Sequence, residues 1–136
     1  MAELKIETRK GSINKSADEV FDFLTNMNNF EGLFPDDRIR NWKSTTDYCT
    51  FEVEGAGAVG FIIEEKERPS KITYKNYGNV PFDYKMTVVV LPVNDSTCET
   101  GIIFEADVNP VLKMMLKNPL TNLLNSLIDQ LDKIKF

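Results

Sequence analysis

Ile102-Ile-Phe-Glu-Ala-Asp-Val-Asn-Pro-Val-Leu-Lys-Met-Met-Leu116 is where one kind of periodicity gives way to another. Up to Val108 the residues alternate. Ile102, Phe104, Ala106 and Val108 share one side, with Glu105 and Asp107 on the other, which is the pattern of a half-buried strand. At Asn109-Pro110 the period changes. Asn109 suits a helix N-cap, and Pro110 suits the first helical position, where a missing N–H costs nothing. Beyond it Leu112, Met115, Leu116, Leu120, Leu123, Leu124, Leu127, Leu131 and Ile134 recur at helical spacing. Asn118, Thr121, Asn122, Asn125, Asp129, Gln130 and Lys133 take the opposite side, and Met114 falls off the stripe. Pro119 inside this helix predicts a bend near Met115. At about 1.5 Å per residue the helix reaches roughly 40 Å, enough to cross a whole sheet.

Upstream of Ile102 the chain reads as strands joined by short turns. The expected strands are Ile39–Ser44, Tyr48–Glu54, Val59–Lys66, Lys71–Tyr77, Phe82–Leu91 and Thr97–Val108. Links this short make an antiparallel meander. Alternation gives one apolar, aromatic face, carrying Cys49, Phe51, Val53, Val59, Phe61, Ile63, Ile72, Tyr74, Asn76, Phe82, Tyr84, Met86, Val88 and Val90. Thr50, Glu52, Glu54, Lys75, Asp83, Lys85 and Thr87 make the other face wet.

Near the start, residues 3–14 form a further strand through Leu4, Ile6 and Thr8, whose parity slips at Gly11 as in a bulge. Ser16-Ala-Asp-Glu19 is a capping box, and Val20, Phe23, Leu24 and Met27 follow at helical spacing. A helix is therefore expected from Ser16 to Met27, ended by Asn28-Asn29, with one short further turn at Phe30–Phe34 before Pro35-Asp36-Asp37. The fold class is α+β: a seven-stranded curved antiparallel sheet wrapped around a long C-terminal helix, with two short helices between strands 1 and 2. One domain, residues 1–136, accounts for the length.

Composition removes several functions. The net charge of −5 disfavours nucleic acid, because phosphate binding needs clustered Lys and Arg. No apolar run approaches the length of a membrane span, and the first residues lack the apolar core of a secretory leader. Cys49 and Cys98 are far apart and read as reduced thiols, which points to the cytoplasm. The chain has no histidine, so the usual general base and the usual transition-metal ligand are both missing. Nothing in the sequence calls for a cofactor or a metal.

Motif-like features read as structure. Gly55-Ala-Gly-Ala-Val-Gly60 has the spacing of a dinucleotide loop, but Phe61-Ile-Ile-Glu-Glu65 after it is strand, not helix. Asp36-Asp37 reads as turn chemistry. Glu64 and Glu65 point to opposite faces of a strand. Glu65 continues the row of Phe61 and Ile63 and reaches either the interior rim or solvent. Trp42 is a core anchor or a lid.

The candidate site is the space between the concave face and the terminal helix. Phe51, Phe61, Tyr74, Asn76, Phe82, Tyr84, Met86, Phe104, Met115, Leu116 and Leu120 face it. These residues suit a packed core as well as the wall of a cavity. A usable cavity would hold roughly 300 Å³ or more.

Four segments bear a family likeness: Ser16-Ala-Asp-Glu-Val-Phe-Asp-Phe-Leu24, Asn29-Phe-Glu-Gly-Leu-Phe-Pro35, Pro69-Ser-Lys-Ile72 and Phe104-Glu-Ala-Asp-Val-Asn-Pro110. In their order the chain resembles the START-like, or helix-grip, superfamily (SRPBCC), with its birch-pollen-allergen and polyketide cyclase-like branches, and especially its small single-domain bacterial members. The resemblance implies a cavity between sheet and terminal helix, and so binding or transport of a small hydrophobic ligand of lipid, polyketide or isoprenoid type. A cavity enzyme of cyclase, hydratase or isomerase type, using Tyr74, Tyr84, Asn76 and Glu65, is the alternative. A protein-interaction module of the chaperone-activator kind is a weaker one. No catalytic set of the superfamily's cyclases matches here, which favours a binding protein over an enzyme.

Overall fold

Residues 2–34, 37, 39–54 and 57–133 are described by a computed structural model of the chain. Pro35, Asp36, Gly55, Ala56 and Ile134 of the sequence reading lie outside them. Strand β1 (Ala2–Glu7) and strand β2 (Gly11–Ile13) precede helix α1 (Ala17–Leu24) and a 3-10 helix (Met27–Leu33). Strands β3 (Ile39–Ser44), β4 (Tyr48–Val53), β5 (Gly57–Glu67), β6 (Lys71–Asn76), β7 (Tyr84–Pro92) and β8 (Cys98–Val108) follow, and helix α2 (Pro110–Lys133) ends the chain. The sheet is antiparallel throughout, in the order β1-β8-β7-β6-β5-β4-β3, with β2 also paired to β8. It is the expected α+β helix-grip arrangement. The eighth strand arises because residues 8–10 divide the first expected strand into β1 and β2.

Helix α1 starts as its capping box dictates. The Glu19 amide donates to Ser16 Oγ at 3.1 Å, and the Ser16 amide donates to Glu19 Oε1 at 3.2 Å. It stops three residues earlier than the spacing predicts. Asn26 makes a new cap, its Oδ1 accepting from the Asn28 amide at 3.1 Å, and Met27 opens the 3-10 helix instead of closing α1. The Met27 amide is held by the Thr46 carbonyl at 3.0 Å. The hydroxyl of Tyr74 donates to the Leu24 carbonyl at 2.8 Å, satisfying one of the acceptors left open at the end of α1. Arg68, in the β5–β6 turn, pairs with Asp18 and Asp22 and lies over the Phe21 ring, which ties that turn to α1.

Two bulges shape the sheet. In edge strand β3 the register slips between Arg40 and Lys43, where Asn41 takes φ 56°. In β5 it slips between Ile63 and Glu65. Past this second bulge Glu65 pairs with Thr73, not with the inward row of Tyr74, and is exposed. Of the two fates open to Glu65, solvent is the one it meets.

Helix α2 is capped by Asn109, whose Oδ1 accepts from the Leu112 amide at 2.9 Å. Its two halves are held unequally. After Pro119, Leu120, Leu123, Leu124, Leu127, Ile128 and Leu131 are buried. Gly11 lets β2 come close to this half, since a Cβ there would stand 2.4 Å from Ile128 Cγ2. Arg9 pairs with Asp129, the Asn14 amide donates to Asp132 Oδ1 at 2.9 Å, and Lys15 Nζ donates to the Asp132 carbonyl at 3.0 Å. Before Pro119 only Leu116 is buried. Val111, Met114 and Met115 are exposed.

Candidate functional site

The gap between the concave face and α2 is an apolar pocket. Phe51, Phe61, Phe82, Tyr84 and Phe104 of the expected residues line it from the sheet side, with Leu116 and Leu120 from α2. Phe34, Ala58, Val59, Leu123 and Leu124 complete the lining. The leucines follow from the helical stripe once its orientation is known. Phe34 comes from the end of the 3-10 helix, a position whose direction no periodicity predicts.

Four expected residues sit differently. Tyr74 and Met86 are wholly buried beneath the pocket and do not reach it. Tyr74 meets Phe30 edge-on at 5.4 Å and Phe61 edge-on at 6.4 Å. Asn76 turns to the sheet's outer cleft. Its Oδ1 accepts from the Tyr84 amide at 3.1 Å, and its Nδ2 donates to Asp83 Oδ1 at 3.2 Å, so it holds the start of β7. Met115 is 63% exposed and is not in the lining. At roughly 100° per residue it falls well to one side of the row Leu116, Leu120, Leu123, Leu127.

Tyr84 organises the pocket floor. Its ring meets Phe61 at 5.4 Å and Phe82 at 5.7 Å, both edge-on, and stacks on Phe104 at 5.5 Å. Its hydroxyl accepts from the Gly60 amide at 2.8 Å and donates to the Gly60 carbonyl at 2.7 Å. That carbonyl also accepts from the Tyr77 amide at 3.1 Å. Gly60 is required here because a Cβ would stand 2.1 Å from the Tyr77 carbonyl oxygen. The last glycine of the Gly55–Gly60 motif thus serves a close backbone approach, and Gly57 opens a strand at φ 84°. No helix follows that could meet a phosphate.

The free volume is about 30 Å³, a tenth of the roughly 300 Å³ that a ligand cavity was expected to hold. It suffices for about two water molecules. Aromatic rings fill the rest. The residues nearest solvent are Ala58, exposed, and Val59 and Phe82, half-buried, so the mouth lies at that end.

Trp42 stands outside the pocket. It stacks on Phe51 at 5.0 Å, donates from Nε1 to Ser44 Oγ at 3.0 Å, and lines an open groove at the edge of the sheet. Ser44 Oγ in turn donates to Asn28 Oδ1 at 2.6 Å.

The electrostatics are those of a dry interior. Burial pushes the Tyr84 hydroxyl up to about 12, against the pull of its bond to Gly60. Burial raises Tyr74 well above its ordinary value. The Cys49 thiol is likewise pushed up to about 12 by burial, with a backbone bond to Phe61 acting the other way. These groups stay neutral at physiological pH. The arrangement is an apolar wall around a small space, and none of these groups is tuned to move a proton near neutrality.

No family model and no curated protein matches the sequence. Solved structures do match. Norcoclaurine synthase from Thalictrum flavum superposes with a TM-score of 0.76 at 13% identity, covering 97% of this chain and 93% of that one. A START superfamily protein from Mycobacterium smegmatis gives 0.69 at 10%, covering 96% and 99%. The di-domain ARO/CYC protein BexL of the BE-7585A biosynthetic pathway gives 0.69 at 14%, covering 98% of this chain and 46% of its own. The chain has the START-like, helix-grip fold. At these identities the likeness is one of fold. No helix among the described residues is long and apolar enough to cross a membrane.

Proposed function

We propose that this chain binds a small hydrophobic molecule in the pocket between the sheet and α2. The observation that carries the reading is the lining itself. Among the described residues its side chains are aromatic and aliphatic throughout, and the one hydroxyl among them, on Tyr84, is engaged by Gly60. Dry apolar cavities take apolar guests once they are large enough to hold them. The fold supports the reading by analogy: the norcoclaurine synthase of similar fold has been solved in complex with dopamine and hydroxybenzaldehyde.

A pocket of about 30 Å³ must widen before it admits a guest. The wall suited to yield is the first half of α2, held by the buried Leu116 and the half-buried Leu112, and Pro119 marks the boundary. Proline there cannot donate to the Met115 carbonyl, so one hydrogen bond of the helical ladder is missing at the joint.

The four residues that an enzyme of cyclase or isomerase type would use are all engaged elsewhere. Tyr74 caps α1, Tyr84 bridges Gly60, Asn76 holds β7 and Glu65 faces solvent. Binding is therefore the better reading. Titration with the fluorescent apolar probe N-phenyl-1-naphthylamine tests it. Saturable binding in the micromolar range is expected, and Leu120→Trp should abolish it by filling the remaining space. Probe fluorescence that rises without saturation, or that Leu120→Trp leaves unchanged, would sink the proposal.

A further inference from the structure

We infer that the pocket selects a plain hydrocarbon segment, alkyl or terpenoid, and rejects molecules that must bury a hydroxyl or carbonyl. The inference rests on the binding role proposed above and narrows its ligand class.

It follows from a census of polar atoms around the pocket. The Tyr84 hydroxyl donates to and accepts from the same residue, Gly60, at 2.7 and 2.8 Å. The Tyr74 hydroxyl, wholly buried, donates to the Leu24 carbonyl. The Gly60 carbonyl already accepts twice, from Tyr77 and Tyr84. Among the described residues no charged side chain is in the lining. Asn125 Oδ1 is buried without a hydrogen-bond partner among the described residues, but Asn125 is not in the lining. A guest hydroxyl placed deep in the pocket would lose its water and find neither donor nor acceptor. A guest methylene would lose nothing. Any polar end must remain at the mouth, beside Ala58 and Phe82, where the wall is open to solvent. A polyhydroxylated aromatic polyketide is therefore a poor guest, whereas an alkyl or isoprenoid chain with one polar end is a good one.

A matched pair tests this. Decan-1-ol can leave its hydroxyl at the mouth, whereas decane-1,10-diol must bury one. Displacement of N-phenyl-1-naphthylamine should show the diol binding at least about tenfold more weakly, the loss expected for an unpartnered hydroxyl. Tyr84→Phe exposes the Gly60 amide and should narrow the gap, because a deep hydroxyl would then have a partner. Equal or tighter binding of the diol to the parent protein would overturn the inference and leave the binding role standing. A gap that Tyr84→Phe leaves unchanged would overturn the assignment of the exclusion to that hydroxyl. If the parent protein binds neither alcohol nor probe, the binding role fails and the inference falls with it.

Discussion

The hydroxyl of Tyr84 sits between the amide and the carbonyl of Gly60, at 2.8 and 2.7 Å, and so replaces a rung of the β5–β6 ladder with a side chain. The register ends at Phe61↔Asn76, and one residue further the two backbones have come too close for any side chain at position 60. Tyr84 thereby closes the sheet and floors the pocket at once.

This contact makes Gly60→Ala costly. The new methyl would stand 2.1 Å from a backbone oxygen, so the strands must separate. A loss of about 1–3 kcal/mol or more is expected from a urea melt. Gly57→Ala is the control. A Cβ there meets nothing within 4 Å, and its φ of 84° alone is strained, so it should cost only about 1 kcal/mol. Equal losses at the two sites would mean that the close approach at Gly60 does not exist in solution.

Stability should fall on the alkaline side. Cys49 and Tyr84 ordinarily ionise near 9.0 and 10.0 and are raised to about 12 in the folded chain. Between those values the unfolded chain releases protons that the folded chain keeps, so unfolding is favoured as pH rises. The contribution of these groups is complete below about pH 9 and is lost toward pH 12. Urea midpoints should decline with pH above 9, more gently in Cys49→Ala. A midpoint unchanged up to pH 11 would show that these groups are hydrated.

Leu116 and Met115 are neighbours in sequence with opposite expected behaviour. Met115→Trp should change stability by less than about 0.5 kcal/mol and leave probe binding intact, because the side chain is 63% exposed. Leu116→Trp should cost about 1–3 kcal/mol by overpacking the pocket and should block the probe. Interchanged results would require α2 to be rotated.

Hydrogen exchange should divide α2 at Pro119. Amides of 114–118 should exchange faster than those of 123–131, since the buried Leu116 and half-buried Leu112 hold the first half, while six buried residues plus the Arg9–Asp129 pair hold the second. Uniform protection along the helix would count against its first half as the yielding wall.

Ser16→Ala should cost about 1 kcal/mol through the lost bond to the Glu19 amide. A melt unchanged by the substitution would mean that water replaces the hydroxyl.

Local chemistry was enough to read the frame. Ser16 announces α1, Asn109-Pro110 announces α2, and β3 runs from Ile39 to Ser44 as its flanking turns require. What escaped depends on distances across the fold. Met115 stands at the edge of the broad apolar stripe, about 100° round the helix from Leu116, and the direction in which α2 meets the sheet leaves that edge outside. Glu65 continues an inward row until a bulge, invisible in alternation alone, turns it out. The partnership of Tyr84 with Gly60 spans 24 residues and depends on register, which no single segment contains. The free volume depends on how six aromatic rings interlock, and composition is silent on that.

The slip at Asn41 in β3 has a consequence beyond the pocket. This strand is a margin of the sheet, and a straight margin offers a second chain an unbroken row of donors and acceptors on which to zip up. Here the row is interrupted at Asn41, and the exposed Arg40 and Lys43 flank the break with positive charge. A fibril seeking a template would meet a kink instead of a ruler, and the open curvature that makes room for the pocket is kept without inviting the chain to polymerise along it.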